Sequence, residues 1–290
     1  MINQRLHFVA VVSVFLAVAV GLWIGVAAVD GGTGTGDALR DDTDRLRGEI
    51  DRLETDAAHA KDFATGVAPA TLGGVLDDER VLLVGVGGAT GEQLDEVAAA
   101  LSYSRAEPAG RLQLSQEFTD PGNSGRLVDL AAKVTPKGVK PPNDNDGAET
   151  VSALLAMSLL DKHDVATGDR DELITALERL GMLAEPAELG SGHAGAVIMV
   201  SGKAAHESDV VTVADRFGRE GATVLAASRP AGVIDAVRAD PAGAARVSTV
   251  DNVDTPAGRV AAVLALPGTI AGEIGHYGTG DNVTTAVPVP

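Results

Sequence analysis

The stretch from Arg80 to Ser104, RVLLVGVGGATGEQLDEVAAALSYS, indicates which fold this chain adopts. Residues 80–86 form a continuous apolar run that ends at glycines, which is typical of a strand buried on both faces of a sheet. Residues 90–104 then place apolar side chains at helical spacing. A buried strand that is followed at once by a helix predicts one unit of a parallel α/β sheet.

The same alternation continues along the chain. Further strands are predicted at 110–116, 194–202 and 222–228, and helices at 123–134, 148–163, 170–183, 206–221 and 232–240. Apolar strands that are interleaved with helices indicate a mostly parallel sheet covered on both faces. The sequence therefore predicts one Rossmann-like α/β domain over residues 75–275, followed by a C-terminal tail at 276–290.

The glycine-rich turn at 85–91, GVGGATG, lies where a phosphate-binding loop would begin. The dinucleotide pattern G-x-G-x-x-G fails, because Thr90 stands where the third glycine should be. His206 and Glu207 are not followed by the second histidine of a metalloprotease motif, and the chain has no G-x-S-x-G pattern. The absence of these nucleotide-binding and catalytic motifs predicts that the protein is not an enzyme and that the glycines form a tight turn.

An apolar segment, FVAVVSVFLAVAVGLWIGVAAV, occupies residues 8–29. At about 1.5 Å per residue, a helix of this length spans roughly 33 Å, which is enough to cross a hydrocarbon core of about 30 Å. Arg5 precedes the segment and acidic residues follow it, which predicts a cytoplasmic N-terminus at 1–7 and an extracytoplasmic main domain. A cleaved signal peptide is the alternative, because residues 26–28 would pass as a cleavage site.

Small residues recur every four positions along this segment. They are Ser13, Ala17, Gly21 and Gly25, and they share one face of a helix. Because small side chains let two transmembrane helices approach closely, Ala17, Gly21 and Gly25 are predicted to form a packing face. The alternative is that small residues are simply frequent in such helices.

Residues 38–67 carry apolar or small side chains at alternating steps of four and three. The predicted seam consists of Leu39, Thr43, Leu46, Ile50, Leu53, Ala57, Ala60, Ala64 and Val67. Such a repeat is typical of a coiled coil, and together with the packing face it predicts a parallel homodimer. The alternative is a solvated amphipathic helix that packs on its own domain.

The composition excludes several kinds of partner and site. The 41 acidic residues against 23 basic ones give a formal net charge of −18, which repels nucleic-acid phosphates and anionic lipid headgroups. Because the chain has no cysteine, disulfides and Cys-ligated metal sites are excluded. Nucleic acid is therefore not expected as a partner.

A polar cluster at 248–260, STVDNVDTPAGRV, precedes the last long apolar run. Asp254 or Thr255 at the N-cap, with Pro256 at the first helical position, predicts the start of a helix. An acidic side chain at this position is also favourable toward the helix dipole.

The charged residues of this cluster allow two interpretations. Arg259 is near enough in sequence to pair with Asp251 or Asp254, which would make the cluster a salt-bridged turn. Because ligands dock at strand ends in such sheets, a polar ligand loop is the alternative. The residues of that loop would be Asp251, Asn252, Asp254, Thr255 and Arg259.

Three stretches of the sequence resemble one protein family. They are VSTVDNVDTPAGRVAAVLAL at 247–266, GHYGTG at 275–280 and LSQEFTD at 114–120. With the order of anchor, heptad segment and α/β domain, nearly the whole chain resembles the MctB/SteB-type "copper transporter" family of actinobacterial cell-envelope proteins. The resemblance implies an outward-facing envelope protein that contributes to copper efflux, in a family described as channel-forming. It also implies a second role, as a partner of SteA in the control of cell-wall hydrolysis during cell separation. With the predicted coiled coil, the alternative function is a dimeric scaffold in that role.

A role in copper transport is expected only because of the family resemblance. Copper(I) is carried by soft Cys and Met ligands, and this chain has no Cys and four dispersed methionines, Met1, Met157, Met182 and Met199. The histidines are dispersed in sequence as well: His7, His59, His163, His193, His206 and His276. The residues themselves therefore predict no bound cofactor. A pore is likewise implied only by the family resemblance, since one transmembrane helix cannot enclose a channel without a sizeable oligomer.

Overall fold

A computed structural model describes residues 35–142, 146–203 and 207–288 of the chain. The predicted cytoplasmic N-terminus (1–7) and membrane anchor (8–29) lie outside these ranges, and so does the packing face of Ala17, Gly21 and Gly25. Within the described ranges, no helix combines the length and the apolar character that are needed to cross a membrane.

Seven strands form one sheet in the described part of the chain. They are β1 (Arg80–Val86), β2 (Glu107–Gln113), β3 (Glu188–Leu189), β4 (Ala196–Ser201), β5 (Ala222–Ala227), β6 (Val247–Val250) and β7 (His276–Tyr277). Their order across the sheet is β3-β2-β1-β4-β5-β6-β7. All neighbouring strands are parallel except β2 and β3. The mostly parallel α/β architecture predicted from the sequence is therefore confirmed.

Helices flank the sheet and connect its strands. They are α1 (Thr35–Leu72), α2 (Gly91–Ser102), α3 (Ser124–Val134), α4 (Gly147–Leu159), α5 (Thr167–Arg179), α6 (Glu207–Glu220), α7 (Gly232–Ala239), α8 (Pro241–Ala244) and α9 (Pro256–Ile270). Each helix that the sequence predicts between residues 90 and 240 has a counterpart among them. The parallel strands are joined through these helical crossovers.

Several strands differ from the predicted ranges, and β6 (Val247–Val250) lies outside all of them. β2 begins at Glu107 and ends at Gln113, in each case three residues earlier than predicted, and the three residues that were missed, EPA, carry no strand signal. β3 and β7 have two residues each, which is too short for alternation to show in the sequence. Since β7 pairs with β6, the first residues of the predicted tail at 276–290 belong to the sheet.

Two apolar layers cover the faces of the sheet. Along β1, Leu82 and Val84 belong to one layer, and Val81 and Leu83 to the other, as the period of two in a strand requires. Helices α3 to α7 complete the first layer, while α2, α9 and the C-terminal end of α1 complete the second. Burial on both faces is the reason why the central strands are continuously apolar.

Helix α1 contains the predicted heptad segment. The chain divides into two compact units, Met1–Ala60 and Lys61–Pro290, and α1 contributes to both. In the first unit, the seam residues Leu46, Ile50 and Leu53 are 53%, 54% and 60% exposed. The side chains of residues 35–41, and with them Leu39, lie outside the described part.

The C-terminal end of α1 has a different environment. Ala64 is buried, and Ala68 and Leu72 belong to the same apolar layer as α2 and α9. The predicted seam at 38–67 is therefore too long at its end, because from Ala64 onward its face packs on the α/β domain of the same chain. The seam positions from Thr43 through Ala60 are exposed to solvent.

Candidate functional site

The predicted polar loop lies between β6 and α9, at the carboxyl end of a strand. Thr255 is the N-cap residue of α9, and its hydroxyl accepts a hydrogen bond from the backbone N–H of Gly258 at 3.0 Å. Pro256 is the first residue of the helix, where a missing N–H costs no intrahelical bond. Thr255, and not Asp254, therefore fills the cap position.

The ion pairs of the loop differ from the expected ones. Arg259 Nη1 lies 2.8 Å from Glu96 Oε2 in α2, and it also donates to the backbone carbonyl oxygens of Val253 and Asp254. The expected pairing of Arg259 with a carboxylate of its own loop is therefore wrong. The physical reason is that the side chain of Asp251 is buried and turned toward α7, while Glu96 on the neighbouring helix is within reach.

Asp251 pairs with Arg238 of α7. Arg238 Nη1 lies 2.9 Å from Asp251 Oδ2, and the two side chains are 1% and 2% exposed. Arg238 Nε also donates to the hydroxyl of Thr249 in β6 at 2.9 Å. A buried ion pair is tolerated only where the remaining donors and acceptors are also satisfied, and here the C-terminal segment of the chain supplies the missing partners.

The C-terminal segment is held on the sheet by this pair. The backbone N–H groups of Thr279 and Gly280 donate to the two carboxylate oxygens of Asp251 at 2.9 and 3.0 Å. Arg238 in turn donates to the carbonyl oxygens of Tyr277 and Asp281. We name Arg238, Asp251 and their partners in residues 277–281 the C-terminal clamp. The carboxylate at the centre of the predicted ligand loop is thus occupied by the protein itself.

The clamp sets the charge of its carboxylate. Burial by itself raises the pKa of Asp251, but the hydrogen bonds from Thr279, Arg238 and Gly280, together with the positive charge of Arg238, outweigh burial. The net effect is a pKa below the ordinary value of an aspartate. Asp251 is therefore ionised at neutral pH, as the ion pair requires.

His276 of β7 stands beside the clamp. Its Nδ1 lies 2.9 Å from the hydroxyl of Thr249, which already accepts from Arg238. Because that hydroxyl can still donate its own proton, we assign Nδ1 as the acceptor and place the imidazole proton on Nε2. Burial and the positive charge of Arg238 lower the pKa of His276, and a hydrogen bond with the backbone of Ala244 offsets this only in part.

We expect acidification from pH 7 to pH 5 to lower the free energy of unfolding through His276. The folded protein holds this histidine neutral, whereas the unfolded chain takes up a proton as the pH falls through about 6.5. The stabilisation is present above that pH and is lost below it. Urea unfolding at a series of pH values should show a weaker pH dependence in this range for His276→Gln than for the wild type. His59→Gln, which alters an exposed histidine of α1, is the control, and identical profiles for all three proteins would contradict the expectation.

Asn252 and Gly258 fill the inside of the loop. A Cβ added to Gly258 would lie 1.9 Å from the carbonyl oxygen of Asn252, so the backbone there accommodates only glycine. Asn252 Oδ1 is buried and has no hydrogen-bond partner among the residues that the structure describes. The close approach of loop and helix occupies the space in which a ligand at Asn252 would have to sit.

In the part of the chain that the structure describes, the histidines and carboxylates do not converge on a metal site. Among residues 35–142, 146–203 and 207–288, no group of three or more His, Cys, Asp or Glu side chains could hold a metal ion. His163 bonds to Glu220 at 2.8 Å and His276 bonds to Thr249. His206 lies outside the described ranges.

At the glycine-rich turn (85–91), backbone atoms of the turn pack closely against backbone atoms at the end of β4. Thr90 caps α2 and forms a capping box with Gln93. A Cβ added to Gly202, at the end of β4, would lie 2.3 Å from the carbonyl oxygen of Gly88. Capping and the close contact of two backbone segments account for the residues of this turn.

Comparisons with known proteins cover nearly the whole chain. A family model described as "Copper transport outer membrane protein, MctB" matches residues 1–288. The chain belongs to the MctB family. Proteins named copper transporter MctB from Mycobacterium tuberculosis and Mycobacterium bovis are each 29% identical to it over 312 residues, covering 97% of either chain.

Membership of the MctB family confirms the resemblance that the sequence carries at 247–266 and 275–280. In the structure these two stretches are joined by the C-terminal clamp, since Asp251 lies in the first and Thr279 and Gly280 in the second. In this MctB-family chain, therefore, the two stretches act as one structural unit.

Proposed function

We propose that the chain is a single-pass, non-enzymatic protein of the cell envelope that contributes to copper efflux or homeostasis. The observation that carries the proposal is the MctB family match over residues 1–288. The similar mycobacterial proteins are named copper transporters, and they match this chain over 97% of its length. The proposal therefore concerns the whole chain and not one shared segment.

In this proposal residues 8–29 cross the membrane once and residues 1–7 stay in the cytoplasm. The α/β domain then faces the envelope space. The length of the apolar segment and the position of Arg5 before it support this topology. The family description, which refers to an outer membrane protein, supports a location in the envelope.

Copper is the cargo in this proposal, and the α/β domain is a structural part of the exporting assembly. The bonding of the polar loop between β6 and α9 supports such a role. Asp251 is held by Arg238 and two backbone N–H groups, and Arg259 is held by Glu96. Polar groups that are satisfied within the protein maintain its shape and leave little capacity for a ligand.

Deletion of the gene is expected to lower the copper concentration that the cells tolerate. The full chain, returned to the deletion strain, should restore tolerance. A chain in which a cleavable signal peptide replaces residues 1–34 should not, because the proposal requires the anchor. Growth over a copper series checks this expectation, with a zinc series as the control for general envelope damage. A deletion strain that tolerates copper as its parent does would contradict the proposal.

A second candidate function is a dimeric scaffold that works with a SteA-like membrane partner to control a cell-wall hydrolase. The observation that favours it is the open apolar stripe of Leu46, Ile50 and Leu53 on α1, which offers a surface for another helix. Light scattering on the full chain in detergent tests its premise. A monomer at micromolar concentration would contradict it.

A further inference from the structure

The exposed stripe of α1 follows a heptad register. Leu46 and Leu53 take the d positions and Ile50 takes the a position between them, and all three are more than half exposed. Water contact with a continuous apolar stripe is unfavourable, so a second apolar surface is expected to cover it.

The residue types at these positions specify the kind of partner. A β-branched residue at a, such as Ile50, combined with leucine at d, favours a parallel coiled coil of two helices. Thr43, one heptad earlier, is also β-branched. The core residues thus fit a second copy of the same helix, running in the same direction.

The charges beside the seam support the same arrangement. In a parallel, in-register pair, a g residue lies next to the e residue five positions later on the other helix. Asp42 would meet Arg47 of the second copy, and Asp56 would meet Lys61 of the second copy. Both contacts join opposite charges. In the single chain Arg47 pairs with Asp44 on the solvent-exposed surface, which is a weak bond that can be exchanged.

The remaining g position distinguishes the two directions. Glu49 would meet Glu54 of the second copy, so a parallel pair contains one repulsive contact on each side. An antiparallel pair would instead bring g positions together, and Asp42, Glu49 and Asp56 are all acidic. The parallel direction therefore has two attractive contacts for each repulsive one, whereas the antiparallel direction has only repulsive contacts along its g edge.

The length of the pair is limited by the α/β domain. Ala64 is buried on the same helix face and Ala68 packs in the domain core. A second helix cannot occupy that face as well, so the pairing ends near Ala60. A seam of about three heptads is marginal on its own, which makes each flanking charge matter.

We propose that residues 42–61 form a parallel, in-register coiled coil with a second copy of this chain, weakened by the repulsion between Glu49 and Glu54 of the second copy. The proposal rests on the second candidate function and names how the two copies recognise each other. It does not depend on copper, so copper tolerance tests the first candidate function independently of it.

Single cysteines test whether the seam residues of the two copies face each other, because the chain has no cysteine of its own. Ile50→Cys places a thiol at the centre of the seam, and Thr55→Cys places one at the outward f position of the same heptad. The full chain in native membranes is oxidised with diamide and separated without reductant. We expect a disulfide-linked dimer for Ile50→Cys and monomer for Thr55→Cys. Equal cross-linking of the two variants, or none at residue 50, would overturn the proposal.

Charge reversal tests the repulsive contact. Glu54→Lys turns both Glu49 contacts into attractive ones and should tighten the dimer about fivefold to tenfold in dissociation constant at low salt. Asp51→Lys makes the same charge change at an outward b position and is the matched control. Analytical ultracentrifugation of the full chain in detergent measures both. A dimer that Glu54→Lys leaves unchanged or weakens, or that Asp51→Lys strengthens equally, would count against the in-register pairing.

Discussion

Replacement of Asp251 by asparagine is expected to lower the free energy of unfolding by about 3–5 kcal/mol. Asparagine keeps the size of the side chain, but it leaves the guanidinium of Arg238, which is 1% exposed, without a counter-charge. The N–H groups of Thr279 and Gly280 also lose a charged acceptor. For a protein of this size, the loss corresponds to a melting midpoint about 6–20 °C lower, which calorimetry or circular dichroism would measure.

Two further variants separate the clamp from a general effect of the loop. Asp254→Asn changes an exposed carboxylate three residues away and should stay within about 0.5 kcal/mol of the wild type. The double variant Arg238→Met with Asp251→Leu removes both charges and should be more stable than Asp251→Asn alone. If Asp251→Asn lowered the free energy of unfolding as little as Asp254→Asn, the clamp would not hold the C-terminal segment.

Replacement of Gly258 by alanine is expected to cost about 3 kcal/mol. The added Cβ would lie 1.9 Å from the carbonyl oxygen and 2.4 Å from the carbonyl carbon of Asn252, and backbone atoms cannot rotate away as a flexible side chain can. The helix and the loop would have to separate, which would disturb the cap at Thr255 as well. Thermal unfolding of the variant measures the effect.

Gly125→Ala is the matched control for this substitution. Gly125 also lies in the first turn of a helix, α3, and a Cβ there would meet nothing within 4 Å. Alanine should therefore leave stability unchanged or raise it by about 0.5–1 kcal/mol, through helix propensity. Similar destabilisation by both substitutions would show that the close approach at Asn252 is not what requires glycine.

The central strands and most helices could be predicted from the sequence because their signals are local. The apolar run of β1 and the capping signal of Thr255 and Pro256 each lie within a few residues. The heptad spacing of Leu46, Ile50 and Leu53 is also local, but the coiled coil that it predicts stays a prediction. The residue at which the seam face of α1 becomes buried could not be predicted, because the burial of Ala64 depends on distant parts of the domain.

The bonding of the polar loop between β6 and α9 could not be predicted from the sequence for the same reason. Arg238 lies in an ordinary amphipathic helix, 13 positions from Asp251, and nothing in the spacing connects the two. Sequence proximity favoured Asp251 or Asp254 as the partner of Arg259, but Arg259 pairs with Glu96 of the neighbouring helix. The two-residue strand β7, which brings Tyr277 to the clamp, carries no periodic signal either.

The copper content of intact cells tests the central proposal most directly. Parent, deletion strain and complemented strain are grown at one copper concentration below the toxic range, and cell-associated copper is measured by inductively coupled plasma mass spectrometry. A contribution to copper efflux predicts that the deletion strain retains more copper than its parent and that the full chain restores the parental level. Equal copper contents in the parent and the deletion strain would contradict the proposal.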